Sequence, residues 1–99
     1  MKIFFTQQAT DSLRECIDFL GEKISDSKRS EVFNRILEKI EKLADNPWIG
    51  QTEEYLEHLS KSHRRVIDGN YKIIYRVEND IIYITDIFDT RQDPSKMKG

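Results

Sequence analysis

The chain opens on a short apolar run, Lys2-Ile3-Phe4-Phe5-Thr6, whose residue types favour an extended strand. The period then changes. Ala9, Leu13, Ile17, Leu20 and Ile24 recur at steps of four, four, three and four with charged residues between them, which is the stripe of an amphipathic helix. Thr6 or Thr10 supplies a cap for its start. Ser25-Asp26-Ser27 interrupts with three cap-forming residues, and Val32, Phe33, Ile36, Ile40 and Leu43 then repeat the helical spacing until Asp45-Asn46-Pro47 stops it. A helical hairpin is predicted.

Beyond Pro47 the periodicity weakens, and Trp48 to Ser60 reads as a loop with room for one or two helical turns over Glu53 to Leu59. Alternation takes over in His63 to Asp68, Tyr71 to Glu78 and Ile81 to Phe88, separated by Gly69-Asn70 and Asn79-Asp80, pairs that suit tight hairpin turns. These segments predict an antiparallel meander. In its middle strand Tyr71, Ile73, Tyr75 and Val77 share one face and Lys72, Ile74 and Arg76 the other, so the first face is expected to receive the helices. Trp48 is expected to anchor its loop over the helix ends, and Asp93 to Gly99 to form a polar tail. The pattern as a whole is α+β, in the order β-α-α-β-β-β, with a helical hairpin packed on one face of an antiparallel sheet.

Composition narrows what such a chain does. Ninety-nine residues make one domain, residues 1–99. Cys16 stands alone, so it closes no internal disulfide, and His58 and His63 are too few and wrongly spaced for a zinc set. The four glycines form no phosphate-cradling loop, and no metal or nucleotide cofactor is expected. No apolar run approaches the roughly 18 residues of a membrane span, and Met1 to Phe5 is too short for a signal peptide. A cytoplasmic protein without a membrane partner is the expectation.

The net charge of −2 hides an asymmetry. Residues 1–60 carry eight Lys and Arg against twelve Asp and Glu, whereas residues 61–99 carry eight against six. An isoelectric point near 5.7 argues against an indiscriminate nucleic-acid binder while leaving room for one local basic surface. On the predicted meander His63, Arg65, Lys72 and Arg76 fall on the side away from the helices, Arg64 lies beside them, and Arg91 reaches the rim from just past the last strand. These cations are expected to converge on one surface with few carboxylates between them. His63 at a strand start is expected to be exposed, and Tyr71 and Tyr75 to belong to the core.

The order strand, helix, helix, meander, with Leu43-Ala44-Asp45-Asn46-Pro47, Tyr71-Lys72-Ile73-Ile74-Tyr75-Arg76-Val77 and Asp89-Thr90-Arg91-Gln92-Asp93-Pro94, resembles the RelE/ParE superfamily of toxins over nearly the whole chain. The resemblance implies the toxic half of a type II toxin-antitoxin module, with a cognate antitoxin protein as partner. One branch of the superfamily cleaves mRNA on the ribosome and another inhibits DNA gyrase. Cleavage through the RNA's own 2′-OH needs a base, an acid for the leaving oxygen and cations on the phosphate. By the resemblance Lys72 matches a phosphate-steadying arginine and Arg91 one that assists the leaving group. Arg65 and His63 stand where the ribonuclease branch favours lysines, and Met97 lies near the place of a base-stacking tyrosine.

An arginine barely gives up its proton, and a thioether supplies neither ring nor hydroxyl. The departures therefore point to the ParE-like branch, gyrase inhibition by protein contact, with Arg64, Arg65, Lys72, Arg76 and Arg91 as the surface for target and antitoxin. Ribosome-dependent endonuclease action through His63, Arg65, Lys72 and Arg91, with His63 as substitute base, is the alternative. A degenerate, non-toxic binding module is the third.

Overall fold

The computed structural model describes all 99 residues. Strand β1 (Lys2–Phe5) leads into α1 (Gln7–Gly21), where the Thr6 hydroxyl accepts a hydrogen bond from the Ala9 amide at 3.1 Å and donates one to the Ile84 carbonyl. One side chain thus caps the helix and ties it to the sheet. Ser25 caps α2 (Asp26–Leu43) in the same manner, through the Lys28 amide at 3.2 Å. No helix is long and apolar enough to cross a membrane.

After α2 the chain forms a two-residue strand, β2 (Gln51–Thr52), a 3₁₀ helix (Glu54–Leu59), and then β3 (Arg64–Asp68), β4 (Tyr71–Glu78) and β5 (Ile81–Asp89). The sheet order is β1-β5-β4-β3-β2. The meander is antiparallel as expected, with Asn79 and Asp80 both at positive φ in the tight turn that matches strand twist. Strand β1 differs from the expected antiparallel arrangement: it runs parallel to β5, Lys2 to Phe5 against Ile81 to Ile84, and the sheet is mixed. The α1–α2 hairpin makes the crossover that a parallel pairing demands.

The helices seal one face of this sheet. Ala9, Leu13, Ile36, Ile40 and Leu43 pack on Tyr71, Ile73, Tyr75, Ile82, Ile84 and Ile87, so both tyrosines are core residues, as their alternation implies. A smaller cluster of Leu56, Ile74, Phe88 and Met97 lies on the opposite face. Its existence corrects the expectation of a polar tail. Residues Pro94–Lys96 form a second 3₁₀ turn that brings Met97, 7% exposed, down onto the sheet. The Lys98 amide donates to Asp86 at 2.9 Å and its carbonyl accepts from Thr85. A β-bulge in β5, which moves the pairing from Ile74–Asp86 to Tyr75–Ile84, supplies that acidic anchor.

Candidate functional site

The outer face of the sheet, away from the helices, carries most of the cations singled out in the sequence, and its geometry starts from the β3–β4 register. Arg65 lies opposite Ile74 and Ile67 opposite Lys72, so Arg65 and Lys72 emerge on the same side. They meet on a carboxylate. Glu53, only 3% exposed, accepts a hydrogen bond from Lys72 Nζ at 2.9 Å through Oε1, and the Arg65 guanidinium lies 3.6 Å from the same oxygen. Its Oε2 accepts from the Tyr55 amide at 3.1 Å, while the Glu53 amide donates to the His63 carbonyl at 2.8 Å. Burial by itself pushes the Glu53 carboxyl up, but Lys72, the Tyr55 N–H and Arg65 together hold it below the usual range.

Arg65 is further committed to the Thr52 carbonyl at 2.6 Å and to Gln51 at 3.2 Å. Arg64, opposite Tyr75, points elsewhere. Its guanidinium clamps the carbonyls of Gly50 at 2.7 Å and Trp48 at 3.4 Å and lies 5.1 Å from the Trp48 ring centre. The Gly50 amide donates to the Tyr75 hydroxyl at 2.9 Å, and a Cβ on Gly50 would fall 2.7 Å from the Arg65 carbonyl, so only glycine lets the loop approach so closely. Trp48 is 57% exposed and Ile49 62%. The loop is anchored by Arg64 and Tyr75 instead of by Trp48, and it displays the indole to solvent.

Arg76 pairs with Glu78 and lies 4.3 Å from the centre of the Tyr83 ring. Arg91 does not reach the outer rim. Its guanidinium grips Asp89 through two bonds of 2.9 and 2.7 Å, and its amide donates to the same carboxylate. The ion pair raises the Arg91 pKa and holds the Asp89 carboxyl below its ordinary value. This pair lines a cleft of about 590 Å³ between α1 and the C-terminal half of β5, together with Cys16, Phe19 and Asp86. Burial, with Asp89 and Asp86 adding to it, pushes the Cys16 thiol up to about 12, so it is a proton-bearing border residue and no nucleophile.

His63 overturns the expectation of exposure. The ring is 2% exposed, lies against Leu59 and Gly99, and has no hydrogen-bond partner at either nitrogen. Burial first, then the positive charges of Arg76, Lys61 and His58, lower its pKa from 6.5 and keep it neutral. The predicted cations thus neither converge as one group nor stand free of carboxylates. Arg65 and Lys72 come together, Arg76 follows on the same face with its own acid, and Arg64 and Arg91 face other directions. Glu53, the residue that joins the central pair, was not singled out in the sequence. No His, Cys, Asp and Glu gather in threes at metal-binding distance.

A family model for the ParE toxin of the type II toxin-antitoxin system, parDE, matches residues 3–94. The chain belongs to the ParE toxin family. A chain of the solved chromosomal ParDE TA system from P. aeruginosa shares 20% identity and the fold, with a TM-score of 0.75 over 90% of this chain and 95% of that one. No individually curated protein matches the sequence. The matched residues take in the whole meander with Glu53, Arg65, Lys72 and Arg91, while Met97 and Gly99 lie beyond them.

Proposed function

We propose that this ParE-family toxin inhibits DNA gyrase by protein contact and is held inactive by a ParD-type antitoxin. One observation carries the reading: His63, the candidate substitute base, is 2% exposed against Gly99, so its ring is not within reach of a substrate 2′-OH. Arg65 and Lys72 are occupied by Glu53, and Met97, near the place of the base-stacking tyrosine, is packed into the small apolar cluster. Poisoning by contact needs no proton-transfer pair. It needs a firm complementary surface, and the pinned Trp48-Ile49 pair beside Arg64 has the composition of an interface hot spot.

The P. aeruginosa match comes from a ParDE pair, which supports a ParD-type partner here. Strand β1 covers β5 only as far as Ile84, so the C-terminal half of β5 and the Arg91 cleft offer a partner an open strand edge, and Arg91 offers it a cation. The decisive assay is supercoiling of relaxed plasmid by gyrase under increasing toxin. Supercoiling is expected to fall with dose and to recover on adding antitoxin; undiminished supercoiling at saturating toxin overturns the proposal. The RelE-like alternative requires Gly99 to leave His63, and its mark is cutting of mRNA in the ribosomal A site that His63→Ala abolishes.

A further inference from the structure

A carboxylate oxygen and a phosphate oxygen are equivalent acceptors for an ammonium and a guanidinium side by side. Lys72 and Arg65 form such a pair, 2.9 and 3.6 Å from one oxygen of Glu53. Beside them a cleft of about 370 Å³ opens to solvent between Lys72, Tyr55, Phe88 and Thr90. Tyr55 is 48% exposed there. A cation next to an exposed aromatic ring is the combination that grips single-stranded nucleic acid, through phosphate contact and base stacking. Only the acids contradict that chemistry: Glu53 fills the cation pair, and Glu54, 3.9 Å from Arg65, adds a second negative charge at the rim.

We infer that Glu53 is a built-in anion that closes a latent phosphate site formed by Lys72 and Arg65, and that this residue keeps single-stranded RNA off the outer face of the toxin. The carboxylate is well placed for the task. It is held by the Tyr55 amide on its other oxygen, and its own amide is fixed to the His63 carbonyl, so an incoming phosphate competes with an acceptor already in position. The inference deepens the protein-contact reading by naming what excludes the other class of target. It stands or falls on RNA binding and not on gyrase.

The test measures anisotropy of a labelled single-stranded oligoribonucleotide with wild type, Glu53→Gln, Glu53→Ala and the double variant Glu53→Gln with Lys72→Ala. Thermal midpoints with and without sodium sulfate are recorded on the same proteins. Glu53→Gln is expected to bind RNA at least about tenfold more tightly than wild type near 50 mM salt, with binding that weakens steeply towards about 200 mM. Removing Lys72 as well is expected to cancel the gain. Sulfate is expected to raise the midpoint of both single variants by more than it raises that of wild type, whose shift is the general salt effect alone. Glu53→Ala buries no polar group, so it reports even where the glutamine amide is poorly accommodated. If Glu53 serves only to tie the 53–59 segment to β3 and β4, its variants lose thermal stability and gain neither RNA nor sulfate binding, and that result overturns the inference. Gyrase inhibition measured in parallel separates the two claims, since wild type without effect on gyrase refutes the proposed target whatever the RNA result.

Discussion

The two faces of the sheet are built from different materials. Between helices and sheet, eleven buried apolar residues interlock without a charged group among them. On the other side four apolar residues, Leu56, Ile74, Phe88 and Met97, share the face with buried ionisable ones, Glu53 at 3% exposure and His63 at 2%, and Asp86 at 3% bridges the edge between α1 and the tail. Burying an ionisable group is unfavourable unless partners compensate it, so the second face contributes less stability for each buried residue and responds to pH and to partner removal. The helix-covered face holds the fold, and the tail-covered face holds the buried charges that answer to pH.

Truncation breaks the comparison most directly. Ile73→Ala in the fully buried core is expected to cost about 3–4 kcal/mol in urea unfolding, from lost transfer energy and the cavity left behind. Met97→Ala is expected to cost less than half as much, because a short terminal segment settles where two helices on a sheet do not. Equal costs would erase the distinction between the faces.

Next in size is the charge pair. Lys72→Ala strands the buried Glu53 carboxylate with Arg65 and one amide and is expected to destabilise by about 2–3 kcal/mol. Adding Glu53→Gln to it is expected to recover most of that loss, which a double-mutant cycle measures.

The imidazole sharpens the comparison through pH. His63 has a lowered pKa in the folded chain, so its stabilising effect is complete above the unfolded value of 6.5 and is lost as pH falls below it, where the unfolded chain takes up a proton that the folded chain refuses. Stability is expected to fall as pH drops below 6.5, by up to about 1.4 kcal/mol per pH unit from this group. Glu53, lowered from 4.5, adds its own loss as pH falls through and below that value. His63→Leu is expected to flatten the first slope and leave the second, as read from denaturant midpoints across pH. The smallest effects lie at the surface. Ser60→Gly relieves a left-handed backbone at φ 56° and is expected to add about 1 kcal/mol, and Arg91→Ala, which takes a half-exposed guanidinium from the buried Asp89 carboxylate but leaves that carboxylate its backbone amide, is expected to cost about 1 kcal/mol.

The helices and the meander were legible because their signals are local: an apolar stripe, an alternation, and turn pairs at Gly69-Asn70 and Asn79-Asp80. The resemblance marked Lys72, Arg65, His63 and Arg91 as candidates. What escaped is long-range. Glu53 lies 19 positions before Lys72 in a stretch with no period, so nothing local links the two. Met97 is one apolar residue in a polar segment and gains its meaning only against Leu56, Ile74 and Phe88. The shift in pairing between Ile74 and Tyr75 comes from a bulge in β5 that strict alternation does not signal, and it delivers Asp86 to the tail. Trp48 looked like an anchor because large aromatic residues usually bury, whereas here Arg64 and the Tyr75 hydroxyl hold the loop and the indole is left over.

The closed outer face is tested most directly by following the His63 ring nitrogens by NMR as pH is lowered. The account predicts an imidazole that titrates below its ordinary value of 6.5 while the Met97 and Lys98 amides remain protected from exchange. A ring that titrates at its ordinary value near 6.5, with those amides exchanging freely, would contradict it.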